Sequence, residues 1–243
     1  MAPLLRALTL AVTLALAPAP AGEPAALLQQ ADWTREVASA GLTVRVRADD
    51  GKTPITALVR THGGSVRLEV ESPETRKGET LLYAGGRWWF CKPGLRRPAP
   101  VSAGQAFGAR ANNADLVLLL EGLSQDYKPT SSAPETLDGV ATTRLELQAA
   151  TSAASWPRLS VWLAGDPAQI QRVAVVDGAG KLSRLAKITW GQTVDTGTGK
   201  RPFPSRVDLS DGQGAPLATL TYEAPSPGAL SADLFDPAKL ATP

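Results

Sequence analysis

Near residue 41 the chain passes from a helical apolar period to a strict period of two, and that change carries most of its fold information. Before it, Pro24 suits the first turn of a helix and Leu27, Leu28 and Ala31 share one stripe, so a helix is predicted from Pro24 to about Glu36. After it, Leu42, Val44, Val46 and Ala48 alternate with Thr43, Arg45, Arg47 and Asp49, as side chains do on a half-buried strand. That strand stops at the turn signal Asp50-Gly51, and Ile55, Ala57 and Val59 begin the next. His62-Gly63-Gly64 then turns the chain into Val66, Leu68 and Val70.

The segment from Gly78 to Pro98 breaks the alternation, because two apolar runs meet at Gly85-Gly86 and the second contains Trp88, Trp89 and Phe90 in a row. Two glycines at a hairpin tip supply the positive φ angles of a type I′ or II′ turn, which places Tyr83 opposite Trp88 and Leu81 opposite Phe90. Those four then form one wholly apolar face, while Leu82 and Trp89 share the other with Ala84 and Arg87. A strand pair with so little polar surface fits either a core covered on both sides or an apolar cavity for a ligand. The candidate lining of such a cavity is Leu81, Tyr83, Trp88 and Phe90, with Val66 and Leu68 from the preceding strand.

Beyond Pro98 the chain is rich in Pro, Gly, Ser and Asn as far as Asn112, and an apolar run follows from Leu116 to Leu120. Asn113 is placed to cap a short helix there, with Asn112 and Asp115 beside it and Gly122 just past its end. Loops this long inside a domain are usually functional or disordered, and this one carries its own apolar helix, so residues 99–135 read as a lid-like insertion with Leu116, Leu119 and Leu120 as its apolar face. The hydroxyl of Tyr127 is a candidate anchor for its return.

Strand patterns resume at Val140–Ala149, Arg158–Ala164, Ile170–Asp177, Lys181–Trp190, Pro204–Ser210 and Leu217–Glu223. With the first five they make about eleven antiparallel strands, which predicts a mainly β protein with a strongly curved, unclosed half-barrel, an N-terminal helix and a helical lid. The tail, Pro225 to Pro243, is expected to pack loosely.

Met1 to Arg6 is short and basic, Ala7 to Ala17 is uncharged and apolar, and Ala19-Pro20-Ala21 offers a small-x-small cleavage site. Residues 1–21 therefore read as a secretory signal peptide, too short for a membrane span, and residues 22–243 as a single exported domain. No cysteine follows the cleavage site, so there is no lipobox, and Cys91 on the hairpin reads as a buried, inert thiol. Without Arg6 the chain has 24 basic against 23 acidic residues, a balance that argues against a nucleic-acid partner.

Reagents for catalysis are scarce. The chain has one histidine, His62, in a glycine-rich turn, and one cysteine, so neither a Ser/His/Asp arrangement nor a zinc site is supported. Asp49-Asp50 and the pair Asp208 and Asp211 lie at strand ends without calcium-loop spacing. Gly197-Thr198-Gly199-Lys200 lacks the leading glycine of a phosphate loop and runs into Arg201-Pro202 rather than a helix. These residues point to a protein that is not an enzyme and needs no cofactor or metal.

The block GETLLYAGGRWWFCKPGLRRPAPVSAGQAFGARANNADLVLLL, Gly78 to Leu120, followed by Asp126-Tyr127, resembles the central signature of the outer membrane lipoprotein-sorting proteins, the LolA-like carriers. The helix at Ala25 to Trp33, Trp156-Pro157 leading into Val161-Trp162, Gly180-Lys181-Leu182 and Pro202-Phe203-Pro204 extend the similarity over most of the chain. The resemblance implies an unclosed barrel wrapped around helices, with an apolar concavity for the acyl chains of a lipid or lipoprotein. It further implies a monomeric periplasmic carrier that receives cargo from an inner-membrane transporter and passes it to an outer-membrane acceptor. The alternative is an accessory subunit of an envelope exporter that uses the fold to bind a protein. The longer central insertion leaves the family's gating arginine without a matching position, so Arg45, Arg47 and Arg60 stand as candidates. Arg96 and Arg97 are candidates for contact with lipid headgroups or a partner.

Overall fold

The structure is a computed structural model that describes residues 19–20, 22–102, 106–108, 111–112, 115, 122–152, 154–197 and 199–240. The signal-peptide reading falls outside these residues except for Ala19 and Pro20, and so do Asn113 and the lid candidates Leu116, Leu119 and Leu120.

Six strands come before the insertion: β1 (Leu42–Asp49), β2 (Ile55–His62), β3 (Ser65–Ser72), β4 (Thr80–Ala84), β5 (Arg87–Cys91) and β6 (Ala99–Val101). Within the insertion, β7 (Ala106–Gly108) and β8 (Ala111–Asn112) make a small separate pair. Seven more strands follow: β9 (Tyr127–Leu137), β10 (Val140–Ala149), β11 (Arg158–Ala164), β12 (Gln169–Val176), β13 (Leu182–Asp195), β14 (Lys200–Asp211) and β15 (Pro216–Pro227). Among the described residues, 13 strands pair into one antiparallel sheet in the order β6-β5-β4-β3-β2-β1-β15-β14-β13-β12-β11-β10-β9. The first meander and the last meet at β1 and β15, so β6 and β9 are left as the two edges of a sheet that does not close.

One face is buried across all but the edge strands. Leu42, Val44, Val46 and Ala48 of β1 lie in the same apolar core as Leu81 and Trp88 at one wing and Leu145, Leu159 and Val161 at the other. Strands that far apart in the order share a core only if the sheet curls, and helices fill the hollow. Helix α1 (Pro24–Ala31) packs against β9 and β12, while α2 (Trp33–Ala40) packs against β1, β2 and β15. The single helix expected to Glu36 is thus two, broken at Asp32 and continued to Ala40.

Two strands of the large sheet escaped the sequence pattern, as did the small pair β7 and β8. β9 carries Pro129 and Pro134 and is exposed along most of its length, and β6 contains Pro100. Both sit at sheet edges, where proline removes an outward N–H that no neighbour needs and discourages pairing with another chain. The insertion is correspondingly narrower than residues 99–135, since Ala99–Val101 and Tyr127–Leu137 belong to the sheet.

As far as Leu240 the tail is not loose. β15 runs on to Pro227, and 3-10 turns at Ala232–Phe235 and Pro237–Lys239 fold over the outer face of β4 and β5. There Phe235 and Leu240 bury Leu82 and Cys91, with Trp89, Ala84, Leu230 and Leu234 around them. Ser231 and Asp236 cap the two turns, accepting hydrogen bonds from the Asp233 and Ala238 N–H groups. Arg67 fastens the strap by donating to the Leu234 carbonyl at 3.0 Å. At its root, Gly41 has φ +125° and a Cβ there would lie 2.2 Å from the Gly228 carbonyl oxygen, so only glycine lets the strap start.

Phe235→Ala should destabilise the fold by about 3 kcal/mol in urea denaturation and open Cys91 to thiol reagents in the native protein. Unchanged stability with Cys91 still protected would show that the strap does not carry that cluster. A second expectation concerns Glu69, which accepts from Arg60 and, at 2.7 Å, from Arg67. Burial pushes its carboxyl up, but these two guanidinium groups outweigh it and hold the value below the ordinary carboxylate range. Its contribution to stability is therefore complete above that range and is lost as pH falls through the folded value. In a series of Tm against pH, Glu69→Gln should flatten the acid limb; an unaltered limb would rule this linkage out.

Candidate functional site

The inner face of β3 to β6 is a continuous apolar wall. Strand pairing sets Val66, Tyr83, Trp88 and Val101 in one transverse row and Leu68, Leu81, Phe90 and Ala99 in the next. The register Tyr83 to Trp88 and Leu81 to Phe90 is the one expected from the Gly85-Gly86 turn, whose φ angles of 58° and 73° are both positive. All six candidate lining residues thus share one face. Val66, Leu68, Leu81 and Trp88 are buried there, and Tyr83, Phe90 and Val101 pack against them while keeping some access to solvent. The Tyr83 and Trp88 rings lie 5.1 Å apart at 44°. Leu82 and Trp89 face the other way, into the cluster under the strap.

The rows continue inward. Thr61 and Leu42 extend the first and Val59 and Val44 the second, so the wall runs from the edge of the sheet to its centre without a charged side chain. Thr61 is the polar exception, and its hydroxyl donates to the Ala38 carbonyl at 2.9 Å, tying α2 to the sheet. Trp33 of α2 meets Trp190 of β13 at 6.2 Å, and the Trp190 indole N–H donates to the Ile170 carbonyl at 2.8 Å. Phe203 and Tyr222 close the centre edge to face at 6.2 Å, and burial pushes the Tyr222 phenol far up, so it stays neutral.

Two carboxylates join the insertion to this core. Asp32, at the break between α1 and α2, accepts from the N–H groups of Leu123 and Ser124 at 3.1 and 2.6 Å and so caps the short helix α3 (Leu123–Asp126) from a distant part of the chain. Asp115 is 3% exposed and pairs with Arg184 of β13 at 3.2 Å. It therefore bonds across to the sheet, where the sequence placed it in a helix cap, and Asn112 lies in β8. Tyr127 is buried, as expected of an anchor, and its hydroxyl accepts from the Trp156 N–H at 3.1 Å.

The candidate gating arginines lie elsewhere. Arg45 and Arg47 of β1 and Arg60 of β2 point away from the hollow and pair with Glu71, Asp49 and Glu69. Arg96 and Arg97 are exposed in the turn between β5 and β6. Sequence reasoning missed Asp32 and Arg184; the only hint at Asp32 was a carboxylate inside a helical stripe, and a contact 91 residues away leaves no local trace.

A family model with the description "Uncharacterized protein" matches residues 65–242, well over half of the chain. The chain belongs to that family. No curated protein matches it. Solved structures share its architecture: a LolA superfamily protein from Nitrosomonas europaea has a TM-score of 0.72 at 18% identity, over 89% of this chain and 98% of that one. A putative outer membrane lipoprotein-sorting protein domain from Vibrio parahaemolyticus gives 0.70 at 16% identity, over 89% and 97%. A DUF1329 family protein from Desulfovibrio piger gives 0.67 at 15%, over 87% and 96%. The fold is therefore LolA-like, as the block from Gly78 to Leu120 implied. Among the described residues, no helix is long and apolar enough to cross a membrane.

In this LolA-like sheet, Asp32→Ala should remove the shared acceptor of two helix N–H groups and cost about 2 kcal/mol. Amide exchange at Leu123 and Ser124 should accelerate; exchange rates equal to those of the parent would show that Asp32 does not hold them.

Proposed function

We propose that this protein is a periplasmic carrier that takes up the acyl chains of a lipid or lipoprotein against the inner face of β3 to β6 and shuttles them toward the outer membrane. The observation that carries this reading is the pair of apolar rows ending at an open sheet edge, where Tyr83, Phe90 and Val101 remain partly accessible. A core strand pair needs apolar residues inside; it does not need them to stay accessible beside an unpaired edge.

Exposing an acyl chain to water costs about 0.8 kcal/mol per CH₂, so a lipid crosses an aqueous compartment only against an apolar wall. The proposed role is binding and transfer without catalysis, and it needs no cofactor or metal. An inner-membrane transporter would supply the cargo and an outer-membrane acceptor would remove it, with the protein acting as a monomer. The LolA-like fold supports the reading by analogy of architecture, since one of the similar structures is described as a lipoprotein-sorting protein.

Native mass spectrometry of protein taken from its own envelope should find bound lipid. Phe90→Glu should abolish that loading while leaving Tm and circular dichroism close to those of the parent, since Phe90 is only partly buried. Trp88 is a poorer choice because it is 6% exposed and a charge there would also threaten the core. A parent protein that carries no lipid and takes none from liposomes would sink the carrier role and favour an accessory subunit.

A further inference from the structure

We propose that the turn between β5 and β6 is a docking tip for an anionic lipid bilayer, formed by Lys92, Leu95, Arg96 and Arg97. Its purpose rests on the carrier reading; its existence does not.

The first observation is charge. From Thr80 to Ala114 the chain contains no Asp or Glu, yet it carries Arg87, Lys92, Arg96, Arg97 and Arg110. The rest of the chain has 20 basic against 23 acidic residues, so a nearly neutral protein concentrates its positive charge in one stretch. Three of those cations fall within six residues of one turn.

The second is geometry. Lys92-Pro93-Gly94-Leu95 has proline in its second position and a glycine at φ 87° in its third, and the Leu95 N–H donates to the Lys92 carbonyl at 3.0 Å. These are the marks of a type II turn, a stiff tip whose shape is set before any ligand arrives. It presents Leu95, 36% exposed and one of two large apolar side chains exposed among the described residues.

The third is the state of the charges. Among the described residues, Lys92, Arg96 and Arg97 are exposed and form no ion pair, whereas Arg45, Arg47, Arg60, Arg67 and Arg206 on the outer face each hold a carboxylate. The nearby Glu74 and Glu79 are taken by Lys77 and Arg76.

An apolar side chain on a rigid tip, flanked by cations that hold no carboxylate among the described residues, matches the interface of a bilayer with anionic headgroups: the cations meet phosphate and Leu95 enters the acyl boundary. An acidic protein surface would satisfy the cations but would give Leu95 nothing. The tip also joins β5 to β6, the strands of the apolar wall at the open edge, so docking would bring that wall to the bilayer.

Flotation with vesicles tests the inference. The purified full chain should bind vesicles containing about a third phosphatidylglycerol, bind pure phosphatidylcholine weakly, and release in high salt. Arg96→Ala with Arg97→Ala should weaken binding about 30-fold, the corresponding lysine pair should retain it, and Leu95→Asp should weaken it without altering Tm. Equal binding to both vesicle types, binding to neither, or phosphatidylglycerol binding that the alanine pair keeps would overturn the proposal. So would an acidic protein partner held by the same side chains in the absence of vesicle binding. Native mass spectrometry separates the two readings: the alanine pair should still carry lipid, and a protein that floats but carries none sinks the carrier role while leaving the tip.

Discussion

Pairing of β1 with β15 is the constraint on which the rest of this molecule depends. It joins Leu42 to Pro227 and Asp49 to Thr219, residues from opposite ends of the sheet-forming chain, and so turns two separate meanders into one sheet. Closing so long a loop is entropically unfavourable and is repaid only when the whole core assembles. The consequence is positional. With β1 and β15 in the middle, the ends of both meanders become edges, and the chain linking β6 to β9 must pass from one edge to the other.

That arrangement gives the two faces different physics. Inward, side chains from both wings converge on α1 and α2 in a single core, and apolar rows reach the edge at β6. Outward, ion pairs line the surface, across strands as in Arg45 of β1 with Glu71 of β3 or along one strand as in Arg206 with Asp208 of β14, and they are solvated and of small net energy. The hairpin β4–β5 is the exception, apolar on both faces, and the fold answers it twice: the core takes Leu81 and Trp88, and the strap takes Leu82 and Cys91. An outer face left bare there would be a contiguous apolar patch, prone to association.

The two faces of the aromatic hairpin therefore differ in their surroundings. Leu82 and Trp89 have a structural use under the tail that accounts for their being apolar without any ligand. Leu81, Tyr83, Trp88 and Phe90 stand on the face that the LolA-like fold turns toward its hollow. The division matters for reading function, since only the second group enters the proposed acyl-chain wall.

Local physics made much of this legible in the chain alone. Strand patterning located β1, β10 and β11 to the residue, and the paired glycines at 85 and 86 determined the register of β4 against β5, because their positive φ angles close a two-residue hairpin whose twist matches the flanking strands. Edge strands were hidden because exposed residues and prolines follow no apolar period, as β9 shows. What tertiary structure alone decided are the contacts between distant segments: Asp32 capping α3, Arg184 meeting Asp115, and Phe235 covering Leu82. Backbone propensity and side-chain periodicity act over a few residues and are written locally. Which carboxylate finds which N–H, and which apolar face is covered, depends on how the sheet curls, and that is settled only when all thirteen strands are paired.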